Sequence, residues 1–133
     1  MQLPDRVPRK RTESNVVAEV RAAVSRIPGV ICYRNNTGAL RDATGRLVRY
    51  GLADGSADLV ACAWGRFVAI EVKRERPKGK PSKHLQEQLA WIAQLEAHGG
   101  VGGVAWDVES ALRILDRARP AGMVSTSPCS GDA

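Results

Sequence analysis

A chain of 133 residues, 44% hydrophobic and 26% charged, is long enough for one domain with a genuine core and carries the charge of a protein that stays in water. Its formal net charge of +6 favours a polyanionic partner. No apolar run approaches the roughly 20 residues that span a bilayer, and the basic N-terminus lacks the apolar segment of a signal peptide. Three cysteines, Cys32, Cys62 and Cys129, stand far apart with no C-x-x-C, which argues against a disulfide framework and for a reducing cytoplasm. Neither His84 nor His98 has a cysteine at zinc-ligand spacing.

Residues 1–11 read as a basic arm, with Arg6, Arg9, Lys10 and Arg11 among two prolines. Thr12 suits a helix N-cap and Glu13 suits the first turn. Val16, Val17, Val20, Ala23, Val24 and Ile27 recur at helical spacing and define a buried stripe. Projection at about 100° per residue puts Glu13 within that stripe and Glu19 beside it. Pro28-Gly29 ends the helix, and Val30 to Arg34 is a short strand. Thr37 to Tyr50 contains a hairpin-like turn around residues 41–46, and Gly51 to Gly55 links it to the next strand. Asp58 leads into Leu59 to Ala63; Trp64-Gly65-Arg66 turns the chain; Phe67 to Lys73 is the return strand. Cys32 and Cys62, in apolar strand-like runs, read as small core residues, and Tyr33 and Trp91 read as core more than as base-stacking groups.

Arg74 to Ser82 is a Pro/Gly/Lys loop, with Ser82 as the cap of a helix that stops at Gly99-Gly100. Leu85, Leu89, Ile92 and Leu95 form the apolar face of that helix, and Gln88 projects into its middle. An inward glutamine must find hydrogen bonds, either to a backbone group or to a functional partner. Val101 to Val108 is a last strand, Glu109 to Ala118 a last helix, and 119–133 a flexible Ser/Pro/Gly-rich tail. The division is thus an arm (1–11), one folded domain (12–118) and a tail. Periodicity alone allows α/β or α+β.

Chemistry concentrates between Gly55 and Lys73. Side chains alternate along a strand, so Glu71 and Lys73 share one side and Val72 takes the other. A Glu-x-Lys at a strand end is, by itself, also the pattern of a strand running out into solvent. Joined to Asp58 one strand earlier, it offers two carboxylates and an amine converging at a sheet edge, which suits a divalent cation with a basic group beside it. Asp54 has the same G-x-x-D setting, but Gly55 follows it and not a strand. Lys73, Arg74, Arg76, Lys78, Lys80 and Lys83 gather at the end of this strand, a phosphate-binding composition. Arg34, Asn35 and Asn36 are further candidates for phosphate or sugar contact; the two asparagines equally suit a turn.

Five ordered pieces resemble a known family: Thr12-Glu13-Ser14; Tyr33-Arg34-Asn35-Asn36-Thr37-Gly38; Gly55-Ser56-Ala57-Asp58; Ile70-Glu71-Val72-Lys73; and Gln88-Leu89-Ala90-Trp91 ahead of Gly99-Gly100. The set, across about residues 12 to 108, is similar to the VRR-NUC group of the PD-(D/E)xK nucleases, which includes enzymes like Holliday-junction resolvases. Ala57 stands where that pattern usually has proline. The resemblance implies an α/β fold with a mixed central β-sheet flanked by helices, a restriction-endonuclease-like core of order αβββαβ. It implies a Mg²⁺-dependent DNA endonuclease, with Mn²⁺ as substitute, in a phage or bacterial host cell, with junctions or flaps as candidate substrates and a homodimer suited to two-strand cutting. Asp58 and Glu71 would hold the metal with the Val72 backbone carbonyl, Lys73 would orient or deprotonate a water, Gln88 would hold Lys73 or the phosphate, and Glu13 would add a carboxylate. A nucleic-acid-binding module with a vestigial site is the alternative. A basic protein-interaction domain is a third reading.

Overall fold

The structure, a computed structural model, describes residues 11–123. The basic arm through Lys10, the tail from Val124 and Cys129 within it lie outside the described residues. The chain is α/β, with three helices, a mixed four-stranded sheet and a separate two-stranded sheet.

Helix α1 spans Glu13–Ser25. Thr12 caps it, accepting from the Asn15 N–H, while Asn15 answers the Thr12 N–H, so two of the end's orphan donors are satisfied locally. Strands β1 (Val30–Arg34), β4 (Leu59–Ala63), β5 (Arg66–Val72) and β6 (Val101–Ala105) form the main sheet in the order β1-β4-β5-β6. The β1–β4 and β4–β5 pairs are antiparallel; β5–β6 is parallel, joined through α2 (Lys83–Ala97) as a βαβ unit. The β4–β5 turn places Trp64 and Gly65 at φ 51° and 82°, the double positive φ of a two-residue type I′ hairpin. Arg119 lies 4.4 Å over the Trp64 ring.

The sheet has two unequal faces. Val68, Ile70 and Val72 alternate toward one core, shared with Val16, Val20 and Val24 of α1 and with Leu112 and Leu115 of α3 (Val108–Asp116). Ala69 and Glu71 point to the other face, where α2 lies. Adjacent glycines on β6 set both approaches. A Cβ on Gly102 would stand 2.9 Å from Ile92 of α2, and one on Gly103 would stand 2.9 Å from Ile114 of α3. The β6 edge is closed by side chains: Glu96 accepts from the Gly102 N–H at 3.4 Å, Arg117 donates to its carbonyl, and the two pair at 2.6 Å.

The mixed sheet flanked by helices agrees with the expected fold class. The hairpin of residues 37–50 adds two strands, β2 (Gly38–Arg41) and β3 (Leu47–Tyr50), which stand apart from the main sheet. Strand β6 ends at Ala105, short of Val108, because Asp107 caps α3 in a reciprocal box with Ser110. Three expected core residues are not core. Cys62 is exposed, Tyr33 is 59% exposed, and Leu89 is 39% exposed, since α2 seals its face with Leu85, Gln88 and Ile92 alone and leaves the β1–β4 half uncovered. Among the described residues, no helix is long and apolar enough to cross a membrane.

Candidate active site

Asp58, Glu71, Lys73 and Gln88 come together at one end of the main sheet. Asp58 immediately precedes β4, and its Oδ2 accepts the Val72 N–H at 2.9 Å. That bond pins the carboxylate across the strand end beside Glu71. Glu71 lies on the α2 face of β5 and is only 2% exposed. Lys73, just past the strand, is fixed by its N–H donating to the Ala105 carbonyl at 2.8 Å. Its Nζ stands 3.6 Å from Glu71 Oε1 and donates to Gln88 Oε1 at 3.0 Å. The inward glutamine of α2 therefore spends its oxygen on a lysine and not on the backbone.

Glu71 is the most perturbed group here. Burial first, and then the neighbouring Asp58 charge, push its carboxyl up to about 8, with Lys73 pulling the other way. With both carboxyls ionised, each is an acceptor, and Glu71 Oε2 is left buried without a partner. Protonation of Glu71 supplies a donor to Asp58. A cation between the two would satisfy the same oxygens, so the pair fits a divalent ion on its own chemistry. Among the described residues no three His, Cys, Asp or Glu side chains cluster at ligand spacing; the protein offers this carboxylate pair.

Beside Lys73 opens a cleft of about 700 Å³, lined by Thr12, Glu13, Arg74, Arg76, Lys78, Lys80 and Leu85 among others. Glu13 is exposed and lines this cleft, whereas projection puts it within the buried α1 stripe. Its rival Glu19 pairs with Arg11 on the surface. Asp54 is likewise exposed and pairs with Arg49 at 3.1 Å. Lys83, the first residue of α2, is exposed.

The other candidate nucleic-acid contacts divide. Asn36 is exposed. Arg34 is exposed too, but borders a groove on α1 with Val17, Ala18 and Arg21, away from the cleft. Asn35 takes the structural role of the two open to it. Its amide nitrogen donates to Ser56 Oγ at 2.7 Å and to the Ala57 carbonyl at 2.9 Å, and its Oδ1 accepts the Leu52 N–H at 3.3 Å. Its own N–H donates to the Asp58 carbonyl at 2.7 Å. Both amide hydrogens are committed to the loop that carries Asp58, which leaves the side chain no donor for a phosphate. Asn35→Ala should therefore cost about 2–3 kcal/mol of stability for these bonds, read by urea denaturation. An unchanged midpoint would return Asn35 to the surface.

Two further residues belong to this region. Ser56, 8% exposed, completes the Asn35 clamp. Trp106, directly after β6, lies under Arg76 at 5.3 Å and so helps shape the cationic loop. Parallel pairing of β5 with β6 through α2 was the available signal, because it places the residue after Ala105 beside Lys73. No family model matches the chain, and no curated protein matches it.

Proposed function

We propose that this chain is a metal-dependent nuclease that hydrolyses DNA phosphodiester bonds. The observation that carries the reading is the buried Glu71, with an unpartnered oxygen, beside Asp58 and next to a lysine held by a buried glutamine. A structural ion pair needs no such arrangement. A buried carboxylate left against another carboxylate destabilises the fold unless a function repays it.

Asp58 and Glu71 would hold Mg²⁺ or Mn²⁺, with the Val72 carbonyl as the further oxygen that the family resemblance implies. Such an ion, when bound, neutralises phosphate charge and lowers the pKa of water. The chain's own groups do the rest. Gln88 accepts from Lys73 Nζ and so fixes where the amine sits. From there Lys73 can orient a water or take a proton from it as its oxygen attacks the scissile phosphate. Glu13 faces the same cleft and can hold an outer water. Arg74, Arg76, Lys78 and Lys80 line the cleft as backbone contacts that position DNA without reading its sequence.

The test is a cleavage panel of junction, flap, nicked and linear DNA in Mg²⁺, Mn²⁺ or EDTA. Cleavage with either ion and none in EDTA is expected. Salt-sensitive binding with no cleavage of any substrate would leave a binding module with a vestigial site; neither binding nor cleavage would leave a protein-interaction domain. The loop gives a separate prediction. Replacing Arg74, Arg76 and Lys78 together by Ala should flatten the log–log salt dependence of duplex binding by up to about 2.7, at about 0.9 per phosphate contact. Anisotropy in Ca²⁺ across a salt series measures it, and an unchanged slope would turn the loop away from DNA.

A further inference from the structure

The β2–β3 ribbon springs from the same sheet end as the carboxylate pair. Arg34 closes β1 opposite Leu59 of β4, and Leu59 in turn faces Ile70 of β5, the residue before Glu71. Asn35 then donates its N–H to the Asp58 carbonyl, and its Oδ1 holds the returning chain at Leu52. Both roots of the ribbon are therefore tied to the loop that carries Asp58. Strand order puts the ribbon at the β1 side of this end and the cationic loop, which follows β5, two strands across. At about 4.8 Å per strand the two basic segments start about 10 Å apart, with Asp58 between them.

The ribbon is basic on one side. Its eight strand residues are all exposed. Register groups Arg41 and Arg49 on one side with Ala39 and Leu47, as diagonal neighbours. Arg46, exposed just before β3, adds a guanidinium at the tip. Asp42, the acid between Gly38 and Tyr50, is spent on the turn, where it accepts from the N–H groups of Thr44 and Arg46. Arg41 donates to the Gly45 carbonyl and Arg49 pairs with exposed Asp54. Surface contacts of this kind are weak and give way to a stronger anion.

We propose, building on the nuclease reading, that the arginine side of this ribbon is a second duplex contact, which grips the DNA backbone across the scissile phosphate from the cationic loop. Placement is the first support. A duplex lying over this sheet end meets the loop on one flank of Asp58 and Glu71 and the ribbon on the other, so the bond to be cut is held from both sides. Chemistry is the second. Guanidinium groups pair phosphate oxygens in a fixed fork, and Arg41 and Arg49 present two of them side by side. Shape is the third. A two-stranded ribbon is slim enough to enter the major groove, about 12 Å wide, with its arginines against the groove wall. A two-stranded ribbon is marginal alone in water, and this one is a sheet of its own, so a bound duplex also gives it a surface to order against. Contacts of this kind set the register of the DNA and do not read its sequence.

Anisotropy of a labelled duplex in Ca²⁺ across a salt series tests this on the full chain carrying Arg41→Gln and Arg49→Gln together. The log–log slope should flatten by about 1.8, at about 0.9 per phosphate contact, and the change should add to that of the loop substitutions. Thermal melts check that the variant folds. Hydrogen exchange on the wild-type chain needs no variant: with duplex and Ca²⁺ present, the amides of residues 38–50 should exchange more slowly than without DNA. A wild-type chain with no salt-dependent binding sinks the nuclease reading and the ribbon contact together. Steep wild-type binding with the same slope in the folded ribbon variant, or with unchanged exchange at residues 38–50, overturns the ribbon contact alone and leaves the loop to hold the DNA.

Discussion

Asp58→Asn is expected to remove metal-dependent cleavage while leaving the fold in place. The separation is possible because Asp58 has two tasks that use different properties of the side chain. Its Oδ2 accepts the Val72 N–H at 2.9 Å, a task that the amide oxygen of Asn also performs. Its charge, with that of Glu71, is what a divalent ion would bind, and Asn has none. The loss of cleavage should exceed the roughly 10–100-fold that follows removal of a group that only supports metal ligands. Single-turnover assays with excess protein measure it, alongside thermal melts that check the fold. A well-folded variant that cleaves at the wild-type rate would move the site away from the end of β4.

Much of this arrangement is legible in the residues, and the parts that are not share a cause. Caps and breakers act locally, so Thr12, Ser82 and Gly99-Gly100 mark their helix ends where the structure has them. The Trp64-Gly65 turn and the alternation along β5 are local too, and they place Glu71 and Lys73 on one side and Val72 on the other. Gln88 could be read as inward from helical spacing, but its partner could not, because the Lys73 contact depends on how α2 crosses the sheet. The same dependence explains the misreadings. Cys62, Tyr33 and Leu89 occupy apolar patterns that would be core if α2 covered the whole face, and it covers only β6 and the Ala69 to Glu71 end of β5. Asn35 has a composition suited equally to a turn, a DNA contact or a loop clamp. Only the return of residues 52–58 alongside β1 selects the clamp. Glu13 shares the helical spacing of the buried stripe, yet the first turn of α1 is exposed and Glu13 with it.

Glu71 carries the other large effect, this time on stability. Its folded pKa is raised from 4.5 to about 8, chiefly by burial and then by Asp58. The folded state therefore holds the proton more tightly than the unfolded chain does. The associated stability is fully present below the unfolded value of 4.5 and is lost as pH rises through about 8. In EDTA, wild-type stability should fall across that window. Glu71→Gln keeps the volume and a donor for Asp58, and it has no charge for burial to penalise. This contribution is thus absent from the variant's pH profile, and above the folded pKa the variant should exceed wild type by roughly 5 kcal/mol at most. Divalent cation should then reverse the order, because an ion that binds only the folded, doubly ionised pair stabilises wild type by mass action and has no matching site in the variant. Urea denaturation over a pH series, in EDTA and again in Mg²⁺ or Mn²⁺, gives both comparisons. Matching pH profiles in EDTA would mean that Glu71 is not held desolvated against Asp58. Equal stabilisation of the two proteins by the cation would take the metal site away from Glu71, even if the carboxyl is as perturbed as its burial requires.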